Sequence, residues 1–203
     1  MADVVAVVGI IASDGAPVVL VGHSMGGALA SHSCAALCQA HPGIRLRGLV
    51  VLDCVEGTAL DSMPVMEAAI RARPAVFVDV DAAMMWWLKA GLTRHAAAAR
   101  PSLEAQLRVC GPAGLLGWRT DVAASIPHWA SWFTGQGAAF LGCPAPKLLL
   151  LSDARLLDTC LTAAHMTGRF QLVVVPEAGH AMQEDNPRMT AAALEAFIRR
   201  CVT

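Results

Sequence analysis

Short apolar segments alternate with amphipathic segments along the chain, and this alternation predicts strands and helices in turn. Leucine-rich or β-branched runs bounded by glycine, proline or aspartate are typical of buried parallel strands. Such strands are predicted at residues 17–21, 46–52, 146–151 and 170–175. Helices are predicted at residues 2–12, 26–39, 158–167 and 187–200. The order indicates an α/β fold, with a mostly parallel sheet covered by helices on both faces.

The region between the second and third predicted strands, about residues 55–142, has a different pattern. It looks helical at residues 61–71, 79–90, 95–110 and 127–140, and no strand is predicted between residues 55 and 143. We expect this helical insertion to form a lid that shapes a substrate site. Its aromatic residues either line a substrate cleft or pack within the lid: Trp86, Trp87, Trp129, Trp132 and Phe133.

Composition limits the possible partners. The 203 residues include 15 basic and 16 acidic side chains, so no electrostatic attraction to nucleic acid or to an anionic membrane is expected. The longest apolar runs have the length of strands, and the first eleven residues lack the basic start of a signal peptide. The seven cysteines form no CxxC pair, which favours buried thiols over a metal site. A soluble intracellular protein, cytoplasmic or nuclear, is predicted.

A G-x-S-x-G motif occupies residues 22–26, directly after a predicted strand and before a predicted helix. In a nucleophile elbow, a strained turn at this place presents the serine hydroxyl at the carboxyl edge of the sheet. Glycine on both flanks is expected to avoid Cβ clashes with the neighbouring strand and helix. Ser24 is therefore the candidate nucleophile, and the backbone N–H of Met25 is a candidate oxyanion donor. A chance glycine-rich turn is the alternative.

His180 is the candidate base, because it lies in the loop between the last predicted strand and the last predicted helix. The α/β-hydrolases carry their base at this position, with the order serine, acid, histidine along the chain. A neutral imidazole can accept the serine proton and return it to the leaving group. The remaining histidines are interpreted as structural: His23, His32, His41, His95, His128 and His165.

Three aspartates are candidates for the acid that orients this base. Asp53 ends the strand after the elbow helix and should emerge at the same sheet edge as Ser24. Asp153 and Asp158 follow the third predicted strand, the more usual location in this fold. Each carboxylate can alternatively cap the helix that follows it. The fold alone favours Asp158 or Asp153.

Several longer segments resemble one family of α/β-hydrolases, the protein phosphatase methylesterases. In chain order they are GHSMGGALA, VLDCVEGTALDSM, RARP, WFTG with CPAPKLLLL, and GRFQLVVVPEAGHAMQED. The resemblance runs from about residue 17 to residue 200. It implies hydrolysis of the methyl ester on the C-terminal leucine of the protein phosphatase 2A catalytic subunit, without a cofactor. It also implies that Ser24, Asp53 and His180 form the catalytic triad. Asp158 stays the alternative acid.

The N-terminal part of the resemblance is incomplete. Only 23 residues precede Ser24, whereas the early strands and an H-G-G segment that gives a second oxyanion N–H precede the elbow in this fold. We therefore expect residues 1–203 to form a single partial α/β-hydrolase domain, derived from a longer product. Two other functions stay open: a general esterase, or a catalytically impaired phosphatase-binding module. Arg71 and Arg73 either contact an acidic part of the substrate or are solvated surface.

Overall fold

The computed structural model describes residues 1–202, which form seven strands and ten α-helices within that range. The strands are β1 (Pro17–His23), β2 (Arg45–Leu52), β3 (Val76–Phe77), β4 (Leu107–Cys110), β5 (Leu115–Trp118), β6 (Lys147–Leu151) and β7 (Gln171–Val174). The helices are α1 (Ala2–Ile11), α2 (Met25–Ala40), α3 (Glu56–Arg71), α4 (Val80–Lys89), α5 (Ala96–Gln106), α6 (Trp129–Phe133), α7 (Gln136–Gly142), α8 (Thr159–Met166), α9 (Met182–Asp185) and α10 (Pro187–Val202). Short 3-10 turns occupy Val122–His128 and Ala154–Leu156.

The central sheet has the order β1-β2-β6-β7, and every neighbouring pair is parallel. All four predicted strands of this sheet are therefore confirmed, together with the predicted fold class. Because parallel strands point the same way, their carboxyl ends meet at one edge of the sheet. The loops that follow β1, β2, β6 and β7 consequently converge there.

Alternate residues of β2 and β6 build a core on each face of the sheet. One face carries Leu49, Val51, Leu149 and Leu151, which pack against residues of α2, α7 and α8. The other face carries Val50, Leu52, Leu148 and Leu150, which pack against residues of α9 and α10. Nearly continuous hydrophobicity along β2 and β6 follows from burial on both faces. Within residues 1–202, no helix is both long and apolar enough to cross a bilayer.

Helix α2 lies close to the sheet because its inward side chains are small. Ala28, Ala30, Ser31 and Cys34 are all buried, and the Ser31 hydroxyl donates to Gly27 O at 2.8 Å. Small side chains allow a helix backbone to approach the strand that precedes it. The position of the N-terminus of α2 is thereby fixed relative to β1.

The segment between β2 and β6 contains strands that the sequence pattern did not predict. β3, β5 and β4 form an antiparallel sheet in that order, so the prediction of no strand between residues 55 and 143 is wrong. The helix predicted over residues 95–110 ends at Gln106, and residues 107–110 are strand β4. The β4–β5 connection contains Gly111 and Gly114 with φ of 68° and 70°, angles that favour a turn. Strands of two to four residues are too short to show a period-two pattern.

Four aromatic residues of this segment pack together. Phe77, Trp86, Trp87 and Trp118 form a cluster with ring centroids 5.6–6.5 Å apart, in which some ring pairs are edge-to-face and others are tilted. This cluster covers buried residues of α4 and α5. Trp86 and Trp87 therefore have a packing role.

Candidate active site

Backbone hydrogen bonds continue the parallel ladder past the ends of the strands and position the candidate site. Ser24 N donates to Leu52 O at 2.9 Å, Asp53 N to Leu150 O at 2.8 Å, and Val175 N to Leu151 O at 2.9 Å. Each bond fixes the first loop residue against the neighbouring strand. The sheet therefore sets the relative positions of Ser24, Asp53 and the loop that carries His180.

Ser24 has the strained backbone that the elbow motif predicts. Its φ of 54° and ψ of −125° lie in a region of backbone angles that residues other than glycine rarely adopt. A conformation of this kind costs about 1–3 kcal/mol, which the surrounding structure must supply. Met25 follows as the first residue of α2, so its N–H has no acceptor within the helix. Both features match the predicted strand–turn–helix context.

The two flanking glycines of the motif differ in their surroundings, which corrects the expectation that both avoid a clash. A Cβ at Gly22 would lie 2.1 Å from Gly26 O and 2.6 Å from Gly27 N, both backbone atoms. A Cβ at Gly26 would meet no heavy atom within 4 Å. Gly27 is also tightly placed, because a Cβ there would lie 2.8 Å from Val51 Cγ1. Close approach of strand and helix therefore requires Gly22 and Gly27, but not Gly26.

His180 and Asp53 form the central polar pair of the site. His180 Nδ1 lies 2.9 Å from Asp53 Oδ2, although the two residues are 127 positions apart in the chain. The Asp53 side chain is 6% exposed and the His180 side chain is 57% exposed. A buried carboxylate thus holds one ring nitrogen, and the imidazole remains accessible from solvent.

Ser152 supports Asp53 from the neighbouring strand end. Its backbone N–H and its hydroxyl both donate to Asp53 Oδ1 at 2.8 Å. Burial alone would raise the pKa of Asp53, but the hydrogen bonds from His180 and Ser152 outweigh burial and hold the pKa below its usual value. Asp53 is therefore a carboxylate at neutral pH. Ser152 is not predicted from the sequence, although its position directly after β6 is a usable signal.

The other two candidate acids serve as caps instead. Asp158 Oδ1 accepts from Leu161 N at 2.8 Å at the start of α8. Asp153 Oδ1 accepts from Arg155 N at 2.8 Å, and its carboxylate pairs with the Arg155 side chain. The structure brings neither carboxylate into hydrogen-bond contact with His180. Asp53, the residue that the family resemblance indicated, is the one that makes this contact.

His23, interpreted from the sequence as structural, contacts the loop of His180. Its Nε2–H donates to the backbone oxygen of His180 at 2.7 Å, and the two ring centroids are 4.7 Å apart. Burial lowers the pKa of His23, and a positive charge on His180 would lower it further. A neutral His23 with its proton on Nε2 therefore fixes the backbone of the His180 loop.

Asp185 also fixes this loop and ties it to the segment between β2 and β6. Its Oδ2 accepts from Gly179 N at 2.8 Å, directly before His180. Its Oδ1 accepts from Arg94 N at 2.6 Å. Next to it, Glu184 accepts from the Ser102 hydroxyl at 2.6 Å on helix α5. No sequence pattern pointed to Asp185, since its role depends on a loop that folds back over six residues.

A cavity of about 310 Å³ opens beside these polar groups. Ser24, Asp53 and His180 all line it, and the remaining wall is mostly apolar. The apolar wall includes Val55, Leu151, Leu156, Met66 and Phe133. Of the five aromatic residues considered for a substrate cleft, only Phe133 lines this cavity within the described chain.

The arrangement has the groups that nucleophilic acyl transfer needs. Within residues 1–202, no hydrogen bond joins the Ser24 hydroxyl to His180. Such a bond often tightens only when substrate is present. A hydroxyl on a strained turn, an imidazole held by a carboxylate and an adjacent apolar cavity together define a candidate active site.

Comparison with known proteins places the chain in a family. The chain belongs to the alpha/beta hydrolase family, whose model matches residues 1–193. The first solved structure compared is an E-2-(acetamidomethylene)succinate hydrolase, with a TM-score of 0.73 at 22% identity, covering 95% of this chain and 71% of that one. An esterase from Mycobacterium tuberculosis gives a TM-score of 0.67 at 19% identity, covering 96% of this chain and 66% of that one. At these identities, the likeness concerns the fold.

Curated relatives confirm the resemblance that the sequence motifs indicated. The chain is 38% identical over 191 residues to a probable protein phosphatase methylesterase 1 of Caenorhabditis elegans, covering 94% of this chain and 51% of that protein. It is 35% identical over 225 residues to protein phosphatase methylesterase 1 of Mus musculus, covering 91% of this chain and 57% of that protein. The chain thus spans about half the length of the curated relatives it matches.

The unequal glycines of the motif give a test of the elbow geometry. We expect Gly22→Ala to lower the free energy of unfolding by about 3 kcal/mol, because the new methyl group meets backbone atoms that cannot move aside. Gly26→Ala should leave stability unchanged or raise it by up to about 1 kcal/mol, since alanine is the better helix former. Urea unfolding followed by circular dichroism measures both. Equal losses of unfolding free energy in the two variants would contradict the different surroundings of Gly22 and Gly26.

The protonation of Asp53 makes part of the stability depend on pH. Because the pKa of Asp53 in the folded protein lies below its usual value, its carboxylate contributes stability that is complete only above about pH 5. This contribution is lost as the pH falls through the folded-state pKa. We therefore expect the difference in unfolding free energy between wild type and Asp53→Asn to narrow as the pH falls below about 4. A difference that stays constant down to pH 2.5 would argue against a stabilised carboxylate.

Proposed function

We propose that Ser24, His180 and Asp53 act as the catalytic triad of a serine esterase that cleaves the methyl ester of a protein carboxyl terminus. The observation that carries this proposal is the Asp53–His180 pair, held at 2.9 Å beside the strained Ser24 turn at one sheet edge. The curated relatives named protein phosphatase methylesterase support the reaction type. The substrate implied is the methylated C-terminal leucine of the protein phosphatase 2A catalytic subunit.

The first half of the proposed reaction transfers the acyl group to the enzyme. Ser24 Oγ attacks the ester carbonyl carbon while its proton moves to His180 Nε2. The Asp53 carboxylate, bonded to the Nδ1–H side of the ring, stabilises the resulting imidazolium. The Met25 N–H at the start of α2 is the proposed donor to the oxyanion. The tetrahedral intermediate then expels the methoxy group, which takes the proton from His180 and leaves as methanol.

The second half regenerates the enzyme. A water molecule gives its proton to His180 Nε2 as its oxygen attacks the acyl carbon. Collapse of the second tetrahedral intermediate breaks the bond to Ser24 Oγ, which recovers the proton from His180. The product is the free carboxylic acid, which ionises at neutral pH. The apolar wall of the cavity suits an apolar C-terminal side chain, in agreement with a leucine ester.

Two other functions would give the protein a different pattern of hydrolysis and binding. A general esterase of this fold would hydrolyse small esters and peptide methyl esters without preference for an apolar C-terminal residue. A phosphatase-binding module with an impaired site would bind the phosphatase but hydrolyse neither. The exposed side chain of His180 favours a methylesterase or a general esterase over a binding module, since a catalytic base must reach both the ester and water.

Hydrolysis of p-nitrophenyl acetate and of a leucine methyl ester peptide tests this proposal. We expect Ser24→Ala to lower kcat/KM by at least about 1000-fold on both substrates, because no other group replaces the nucleophile. The matched control Ser13→Ala removes an exposed hydroxyl outside the cavity and should keep wild-type rates. Thermal melting checks that all proteins are folded. Wild-type protein that melts cooperatively but shows no Ser24-dependent turnover would sink the esterase proposal.

A further inference from the structure

A second concave surface lies on the segment between β2 and β6, and arginine dominates its charge. This arginine groove has a volume of about 670 Å³ and is lined by Arg71, Arg73, Arg108 and Arg119. Asp121 is the acidic residue of the lining. The whole chain carries a formal charge of −1, so this positive surface is local.

The small antiparallel sheet places one arginine in the groove. In β4 and β5, Leu107 pairs with Trp118, and both side chains pack into the aromatic core of this segment. Arg108 is the next residue of β4, so its side chain lies on the opposite face of the sheet. Its partner there is Gly117, which is buried beside the Cys110 sulfur at the end of β4. The alternation of the strand therefore places the Arg108 side chain on the face away from the aromatic core.

Arg73 forms a fixed part of the groove. Its guanidinium lies 4.5 Å from the ring centroid of Trp118, and its Nη2 donates to Thr120 O at 3.1 Å. The Trp118 indole N–H in turn donates to Pro74 O at 2.8 Å. Burial lowers the pKa of Arg73, with a smaller opposite effect from Asp121, and the guanidinium stays charged. A stacked, partly desolvated arginine is preorganised to bind a carboxylate.

Two acidic groups, Glu67 and Asp121, offset part of the positive charge of the four arginines, and the rest is not neutralised within the described residues. Arg71 pairs with Glu67, but none of the other three arginines has a salt bridge within residues 1–202. The Asp121 carboxylate accepts from Ala123 N and caps a 3-10 turn. A ligand with several carboxylates would therefore complement the groove.

The groove lies next to the candidate active site along one helix. Met66 of α3 lines the cavity, and Ile70, four residues later on the same helix face, lines the groove. Four residues of helix span about 6 Å, the length of two extended residues of a bound peptide. One polypeptide can therefore occupy both concavities.

We infer that the arginine groove binds an acidic stretch of the same protein substrate whose C-terminal ester enters the cavity. This inference rests on the proposed function for the identity of the ester. The groove supplies affinity and orientation away from the reacting bond, so its loss should weaken binding of protein substrates and leave small esters unaffected.

Binding of two labelled peptides to the Ser24→Ala protein, which holds the ester intact, tests the inference. The acidic probe is fluorescein-Glu-Glu-Glu-Ala-Ala-Leu methyl ester, and its neutral counterpart has three glutamines instead. At low salt we expect the acidic peptide to bind about tenfold tighter by fluorescence anisotropy, with the preference falling as sodium chloride is raised. Adding Arg108→Gln and Arg119→Gln should remove the preference. A control pair, Arg45→Gln with Arg188→Gln, removes the same charge outside the groove and should keep it.

The outcomes separate the inference from the proposed function. Equal binding of the two peptides, no binding of either, or a preference that survives the groove variant would overturn the inference. Groove-dependent binding of a uridine hexanucleotide as tight as that of the acidic peptide would assign the groove to nucleic acid and overturn it too. Ser24-dependent hydrolysis without any acidic preference would contradict the inference alone. An acidic preference without Ser24-dependent hydrolysis would contradict the proposed function alone.

Discussion

The parallel hydrogen-bond ladder of the central sheet is the constraint on which the site depends. It continues beyond the strands, where Ser24 bonds to Leu52 O and Asp53 to Leu150 O. A shift of one residue in the register of β1, β2 or β6 would exchange the two faces of that strand and move these residues apart. Burial of β2 and β6 on both faces makes such a shift costly. The hydrophobic core therefore fixes the relative positions of the candidate site residues at the sheet edge.

Strain and desolvation are concentrated at this edge. Ser24 has an unfavourable backbone, and Asp53 combines φ of 48° with a nearly buried carboxylate. Hydrogen bonds from Ser152 and His180 compensate the buried charge, which keeps it ionised rather than protonated. The loop of His180 is held instead by contacts through its backbone, from His23 and Asp185. The imidazole is thus positioned without being buried.

Sequence reasoning recovered the parts of the fold and site that depend on local pattern. Dense apolar runs predicted all four parallel strands. The glycine–serine turn and the loop position of His180 pointed to two residues that the structure places at the same candidate site. The acid could not be chosen from the fold, because aspartates follow both β2 and β6, and capping geometry is visible only in three dimensions. Family resemblance selected Asp53, and the contact with His180 agrees with it.

The features of the structure that the sequence did not predict have physical causes as well. The antiparallel sheet escaped prediction because its strands are held by pairing between residues far apart rather than by local periodicity. Ser152 and Asp185 act through hydrogen bonds to backbone and side chains that no spacing rule describes. In the sequence motif, Gly22 and Gly26 are equivalent. The packing of the strand against the helix shows that only Gly22 lacks room for a Cβ.

Covalent labelling with a fluorophosphonate tests the central claim most directly, because this reagent reacts with an activated serine and releases fluoride. Mass spectrometry of the digested protein would locate the adduct among all its serines. The geometry predicts stoichiometric labelling at Ser24 and a strong loss of labelling in His180→Ala. No adduct on folded protein, or an adduct at another serine, would contradict the assignment of an activated nucleophile at this sheet edge.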